Sequence, residues 1–178
     1  MPRIGLFYGS NEGHTEEVAR RIRVAFDAIE PDAVKVYNIG QSQASDILGY
    51  EYLIFGIPTW NIGELQDDWA IFFPTMDSMD FNGKKVALFG LGDQFGYSAT
   101  FVDAIGIVGK KAREKGAAIL GTWPRFEYQF EDSVGLENAE WLIGLAVDED
   151  NEKEFTEERI QSWVKMVAVE FGMAPVPA

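Results

Sequence analysis

The chain has 178 residues, 47% of them hydrophobic, no cysteine, and 29 Asp and Glu against 15 Lys and Arg, for a formal charge of -14. That length and hydrophobic content support a single domain, residues 1–178, with a sizeable core. The missing cysteine excludes disulfides, thiolate zinc sites, cysteine-bound iron–sulfur clusters and cysteine nucleophiles, and the negative charge opposes binding to nucleic acid or anionic membranes while favouring basic partners. Met1-Pro2-Arg3 leads straight into strand-like residues, and no 18-residue apolar run occurs. The expectation is a monomeric, cytoplasmic chain without membrane insertion.

Residues 3–8 read as a first strand that breaks off at Gly9-Ser10-Asn11-Glu12-Gly13-His14-Thr15 and turns into a helix over 14–29. Val18, Ile22, Ala25, Phe26 and Ile29 recur at helical spacing on one face of it. Pro31-Asp32 ends the helix, Val34 to Ile39 alternates as a second strand, and 42–48 can form a short helix. Tyr52 to Gly56 is apolar almost throughout, the mark of a buried central strand. After Ile57-Pro58-Thr59-Trp60-Asn61-Ile62-Gly63-Glu64, a helical stretch would turn Leu65, Trp69, Phe72, Phe73 and Met76 inward, with Pro74 ending or kinking it. Asn82-Gly83 is a turn, Lys85 to Leu91 a fourth strand, and Gly92-Asp93-Gln94-Phe95-Gly96-Tyr97 a loop at its end. A helix carrying Phe101, Ile105, Val108 and Ala112 stops near Gly116. Ala117 to Trp123 reads as a fifth strand, interrupted by an irregular insertion over about 124–140 and resumed by Trp141 to Val147. Thr156 is placed to cap a last helix with Ile160, Trp163, Val164, Val167 and Phe171 inward, and the tail after Gly172 is expected to fray. Trp69, Trp123, Trp141 and Trp163 read as structural.

Strands alternating with helices imply right-handed crossovers and a parallel sheet covered on both faces. Ligands of such sheets sit beyond the carboxyl ends of the strands, where the strand order reverses. The loops 9–15, 57–64 and 92–97 fall there. The first offers glycines for close approach, hydroxyls at Ser10 and Thr15, and the unpaired N–H groups and dipole of a helix N-terminus, which suit an anion. Trp60 and Tyr97 in the other two suit a flat, apolar heterocycle. The cradle lacks the Lys-Ser/Thr pair of a P-loop. A phosphoacceptor module would need an acidic cluster and an Asp where Gly9-Ser10 and Gly56-Ile57 stand.

Leu6-Phe7-Tyr8-Gly9-Ser10 followed by Gly13-x-Thr15, then the Pro58 to Leu65 and Gly92 to Tyr97 runs, resemble flavodoxin across essentially the whole chain. The broken fifth strand resembles that family's long-chain branch. The resemblance implies a flavodoxin-like three-layer α/β sandwich, strand order 2-1-3-4-5, and a low-potential one-electron carrier of non-covalent FMN that stands in for ferredoxin, with no substrate of its own. A flavodoxin-fold reductase using NAD(P)H directly would need an open flavin face. By position, Ser10, Asn11, Glu12, Gly13, His14 and Thr15 would hold the phosphate, with Pro58 and Thr59 near the ribityl chain or phosphate. Trp60 and Tyr97 would stack on the two flavin faces, the Asn61-Ile62 peptide before Gly63 would face flavin N5, and the 92–97 backbone, Gly92, Asp93 and Gln94 among it, would bond the pyrimidine edge beside Leu91. The implied partners are basic redox proteins such as ferredoxin-NADP reductase and, in a phototroph, photosystem I.

No lysine or arginine lies in the three loops. One carboxylate about 12 Å from an added electron, at an effective dielectric near 40, costs roughly 0.7 kcal/mol, or about 30 mV. Several such charges make a strongly reducing carrier. The Asn61-Ile62 turn needs positive φ, which asparagine tolerates less readily than glycine, so the first potential is expected to lie below that of an Asn61→Gly variant. Glu12 stands where the family commonly has a hydroxyl residue, and its carboxylate is expected to point to solvent. Replacing it, as Glu12→Thr, is expected to tighten FMN binding in a fluorescence titration, with equal or weaker affinity counting against this reading.

Overall fold

The computed structural model describes residues 2–173; the tail beyond Met173 that was expected to fray lies outside the described residues. β1 (Ile4–Tyr8) leads into α1 (His14–Asp27), β2 (Val34–Asn38), α2 (Ala44–Leu48) and β3 (Tyr52–Gly56). A small hairpin, β4 (Thr59–Trp60) and β5 (Glu64–Leu65), precedes α3 (Asp67–Phe72) and a 3-10 segment, Phe73–Ser78. β6 (Lys85–Leu91), α4 (Asp103–Glu114) and β7 (Ala118–Leu120) follow. A second hairpin, β8 (Trp123–Pro124) and β9 (Trp141–Leu142), separates β7 from β10 (Leu145–Val147), and α5 (Thr156–Glu170) closes the described chain.

The main sheet is parallel, in the order β2-β1-β3-β6-β10, with β7 also paired to β6. β7 lies against Lys85–Ala87 and β10 against Phe89–Leu91, so the two short strands are pieces of one broken edge strand. With those pieces counted together, the order is the expected 2-1-3-4-5. The strands form because their apolar residues are covered from both sides: Ile4, Leu6, Leu53, Ile54, Phe55, Val86 and Leu88 are all fully buried. The step from β1 to β2 and the step from β3 to β6 run in opposite directions along the sheet. With right-handed crossovers this puts α1 and α3 on opposite faces. α1 packs with α5, burying Val18, Ile22 and Phe26 of the one and Ile160, Trp163 and Val167 of the other.

Three local expectations need correction. Trp123 and Trp141 pair with Leu142 and Pro124 in the second hairpin and not with β6, so the edge strand is broken over residues 121–144. Their apolar character suits the hairpin's inner side for Trp123, whereas Trp141 is exposed. Leu65 belongs to β5, opposite Thr59, and not to a helix. The α-helix does end ahead of Pro74, at Phe72, and the chain goes on as a 3-10 turn, because proline cannot donate into the α-helical ladder. Thr156 is the first residue of α5 and caps nothing; its hydroxyl donates to Glu149 Oε2 at 2.7 Å.

The insertion is fastened to the N-terminal end of α4. Glu131 and Asp132 N–H donate to Ser98 O at 2.9 and 3.0 Å, Val134 N–H donates to Asp103 Oδ1 at 2.7 Å, and the Ser133 hydroxyl donates to Phe101 O. Between these contacts Val102 holds φ 49°, a left-handed conformation that costs a β-branched residue on the order of 1–3 kcal/mol. Gly106 lets the insertion backbone approach: a Cβ there would stand 2.2 Å from Val134 O and 2.7 Å from Gly135 N. Alanine would gain about 1 kcal/mol of helix propensity, but the overlap is with backbone that cannot swing aside. Gly106→Ala is therefore expected to destabilise the protein by about 1–3 kcal/mol in urea unfolding and to open residues 121–144 to proteolysis; unchanged stability would contradict this packing.

Candidate functional site

β1, β3 and β6 run in register, so the loops that follow them leave the same edge of the sheet, and the order reverses between β1 and β3. In the first loop Gly13 sits at the N-cap of α1 with φ 87° and no side-chain cap. Ser10 Oγ accepts from Gly13 N–H at 2.9 Å, which curls the loop, and the helical ladder begins only with Glu17 N–H on Gly13 O. The N–H groups of His14, Thr15 and Glu16 have no acceptor among the described residues. They make an anion cradle with the helix dipole behind it. Thr15 is buried, whereas Asn11, Glu12 and His14 are exposed, with Glu12 where its carboxylate was expected.

The cradle rests on Gln66, which sequence patterns did not single out. Gln66 is fully buried; its Nε2 donates to Asn11 Oδ1 at 2.8 Å, and its Oε1 accepts from Trp69 N–H at the start of α3. The Asn11 side chain is thereby committed to support, with its Nδ2 on Asp67 Oδ2 at 3.3 Å. A Cβ on Gly9 would stand 2.1 Å from Gln66 Oε1, so only glycine lets the loop settle on this amide. The one signal in the sequence was a glutamine at a helix start, too common to be informative.

In the second loop β4 and β5 form a hairpin turned by Asn61 (φ 49°), Ile62 and Gly63 (φ 76°). Asn61 thus carries the positive φ expected of it, and its Nδ2 donates to Glu64 Oε2 at 2.9 Å. Ile62 is 79% exposed. Thr59 Oγ1 accepts from Ala104 N–H at 3.0 Å, so its hydroxyl ties the hairpin to α4 and keeps its proton and one lone pair for a ligand. Pro58 is buried. Trp60 is half-buried, with an Nε1 that is buried and has no acceptor among the described residues. An unpaired donor of this kind is costly unless something supplies an acceptor.

The third loop continues β6 through Leu91 and Gly92, whose N–H donates to Val147 O at 3.0 Å. Asp93 Oδ1 accepts from Phe95 and Gly96 N–H at 3.1 and 2.7 Å. These bonds, that of Gly96 first, hold its carboxyl below the ordinary range against the opposing effect of burial. The Gln94 side chain is buried and turned inward, leaving its loop's outer backbone to face a ligand. Tyr97 is 50% exposed, and neither its ring nor that of Trp60 stacks on another aromatic side chain among the described residues. No group of His, Asp and Glu able to hold a metal ion, and no helix long and apolar enough to cross a membrane, occurs among the described residues.

Behind the hairpin stands Asp103, buried at the start of α4, its Oδ2 2.7 Å from where a Cβ on Gly63 would lie. Burial pushes its carboxyl up, and Asp132 adds to this, while the Val134 N–H, Lys110 and Ser133 pull it down. Asp150, in the loop after β10, is likewise raised by burial and then by Asp93 and Asp148, with His14 opposing.

A cradle of free N–H groups at a switch point, flanked by a tryptophan and a tyrosine with unpartnered faces, defines a doubly wound α/β protein built to take a phosphorylated planar ligand. The sequence model described as Flavodoxin matches residues 6–163. A flavodoxin from Nostoc sp. is 47% identical over 171 residues, 96% of this chain and 98% of that protein. Flavodoxin 1 of Salmonella typhimurium is 46% identical over 173 residues, 97% of each chain. The crystal structure of Fusobacterium nucleatum flavodoxin bound to flavin mononucleotide superposes with a TM-score of 0.87 at 29% identity, covering 98% of this chain and 100% of that one. This chain belongs to the flavodoxin family.

The raised Asp103 carboxyl fixes the sign of one pH effect. Its folded-state value lies above its unfolded one, so its stabilising contribution is present below the ordinary aspartate range and is lost as pH rises through the folded value. Asp103→Asn keeps an acceptor for Val134 N–H and removes the charge. It is expected to raise the melting temperature at neutral pH, with the gain vanishing below the ordinary aspartate range; a gain of equal size at both ends would contradict the assignment.

Proposed function

We propose that the protein is a low-potential one-electron carrier that binds FMN non-covalently across the three loops and shuttles electrons between redox proteins. The observation that carries this reading is the set of unpaired donors, His14, Thr15 and Glu16 N–H with the buried Trp60 Nε1, beside the open faces of Trp60 and Tyr97. They fit the anionic tail and planar ring of the molecule that the Fusobacterium nucleatum relative holds. When bound, FMN supplies a centre that exchanges electrons singly.

The chain's own residues do the rest. Ser10, Thr15 and the N–H groups of the first loop hold the phosphate by hydrogen bonds and the helix dipole alone, with Thr59 offering its hydroxyl proton. Trp60 and Tyr97 exclude water from the two ring faces, while backbone of the third loop meets the ring's polar edge. The hairpin peptide between Asn61 and Ile62 would face N5, at a turn where Asn61 already holds a positive φ of 49°. Glu12, Glu64 and Asp93 surround the site and no Lys or Arg in the loops offsets them, so added negative charge is disfavoured and the carrier is strongly reducing. The same charge draws the protein onto basic patches of its partners in brief, salt-sensitive encounters. Ferredoxin-NADP reductase and, in a phototroph, photosystem I are the partners of that kind we propose, with the protein replacing ferredoxin. An enzyme reducing FMN with NADPH needs an open ring face, which Trp60 and Tyr97 deny it.

Stacking on an aromatic side chain is worth about 1–3 kcal/mol, taking base-on-aromatic stacking as the guide. In fluorescence titrations of the apoprotein, Trp60→Ala and Tyr97→Ala are each expected to weaken FMN binding by about 10- to 100-fold. Full affinity in both variants, or bleaching of the bound flavin by NADPH alone, would overturn the reading.

A further inference from the structure

Gln94 is 1% exposed, and its carboxamide bonds three residues on two segments that are distant in sequence. Nε2 donates to Asp148 Oδ2 at 2.7 Å and to Glu152 Oε1 at 2.6 Å, and Oε1 accepts from Gln129 N–H at 2.8 Å. Two acceptors on one side and a donor on the other leave no doubt which way the amide faces. The Gln94 N–H also donates to Asp148 Oδ2, at 3.2 Å.

Each partner is itself anchored. Asp148 is fully buried, and both of its oxygens accept from Asn151 Nδ2, which also reaches Asp93 Oδ1 at 2.8 Å. Glu152 Oε1 also accepts from Arg159 Nη2 of α5 at 3.2 Å, and the Arg159 guanidinium lies over the Tyr128 ring at 4.4 Å. Tyr128 in turn accepts from Trp123 Nε1 at 3.0 Å and donates to Ala146 O. Gln129 and Tyr128 belong to the insertion. A single side chain of the third loop is thus where the insertion, the 148–152 turn and α5 converge.

We propose that Gln94 is a positioning residue through which the insertion fixes the conformation of the 92–97 loop, and so sets that loop's grip on the flavin ring; this rests on the FMN reading above. Without the amide, two largely buried carboxylates each lose a donor and the Gln129 N–H loses its acceptor. The loop relaxes to rehydrate them. The effect is confined to the ring end of the ligand, because the phosphate cradle rests on Gln66 and Asn11 instead.

The test compares wild type, Gln94→Met and Gln94→Glu. In the apoprotein, amide hydrogen exchange at residues 94–97 is expected to quicken about tenfold or more in Gln94→Met while β1 and β3 amides stay unchanged. Affinities for FMN and for riboflavin, which lacks the phosphate, are expected to fall by the same factor, about tenfold, and the gap between the two one-electron potentials to shift. Gln94→Glu, which sets a third carboxylate against Asp148 and Glu152, is expected to show larger changes in each. Ser10→Ala is the contrast, weakening FMN while leaving riboflavin alone. Should Gln94→Met not fold, Gln94→Asn, whose amide falls one methylene short, reads the same quantities. Unaltered loop exchange and riboflavin affinity in a folded Gln94 variant would overturn the proposal. Failure of wild type to bind FMN would overturn the FMN reading alone, since the exchange result still judges the role of Gln94.

Discussion

Three helix N–H groups without an acceptor among the described residues, at the point where β1 turns into α1, govern the layout of this molecule. A phosphate can be held there by oriented backbone dipoles, at no cost in fixed positive charge. The absence of Lys and Arg from all three loops fits the proposed function: a cation beside the flavin would raise its potentials, while backbone N–H groups would bind the tail and leave the ring in a negative field. Anchoring and reducing power, which a lysine cradle would set against each other, are separated in space. The loop can serve this way because Gly9 allows it to settle on Gln66, and Gln66 both caps α3 and holds Asn11.

The other two loops are held from behind in the same manner, by buried polar side chains and not by the ligand. Thr59 ties the β4–β5 hairpin to α4, Asp103 stands against Gly63, and the insertion clasps both Asp103 and the strained corner at Val102. Gln94 does the equivalent for the third loop. Strain at a β-branched residue persists only where its surroundings over-determine it, and here the surroundings are largely the insertion, through Ser133 and Gly135. The insertion that breaks the edge strand is in this view a brace for the site. It leaves β7 and β10 short, three residues each, and returns that loss as hydrogen bonds around α4 and the third loop.

Most of the layered architecture was legible in the sequence, because buried parallel strands such as Tyr52–Gly56 and amphipathic helices such as His14–Asp27 carry periods that local patterns reveal. The three loops were legible too, 57–64 and 92–97 by a glycine and an aromatic at a strand end and 9–15 by glycines and hydroxyls at a helix start. The hairpins were not. Strands of two residues carry no period, so Leu65 was read into the neighbouring helix, and Trp123 and Trp141 were read into the strand they flank. The polar supports were equally hidden. Gln66 with Asn11 and Gln94 with Asp148 join residues more than fifty positions apart, and nothing in a local window marks a glutamine as buried and fully bonded. Thr59 was legible as a site residue, although its hydroxyl serves α4 as well.

In the proposed role the scaffold separates two single-electron steps and pushes the second to low potential through a field of negative charge. Potentiometric titration of the FMN-loaded protein at low and high salt tests it most directly. Two resolved one-electron steps are expected, the second well below that of free FMN and rising as salt screens the carboxylates. A single two-electron wave near that of free FMN, insensitive to salt, would contradict it.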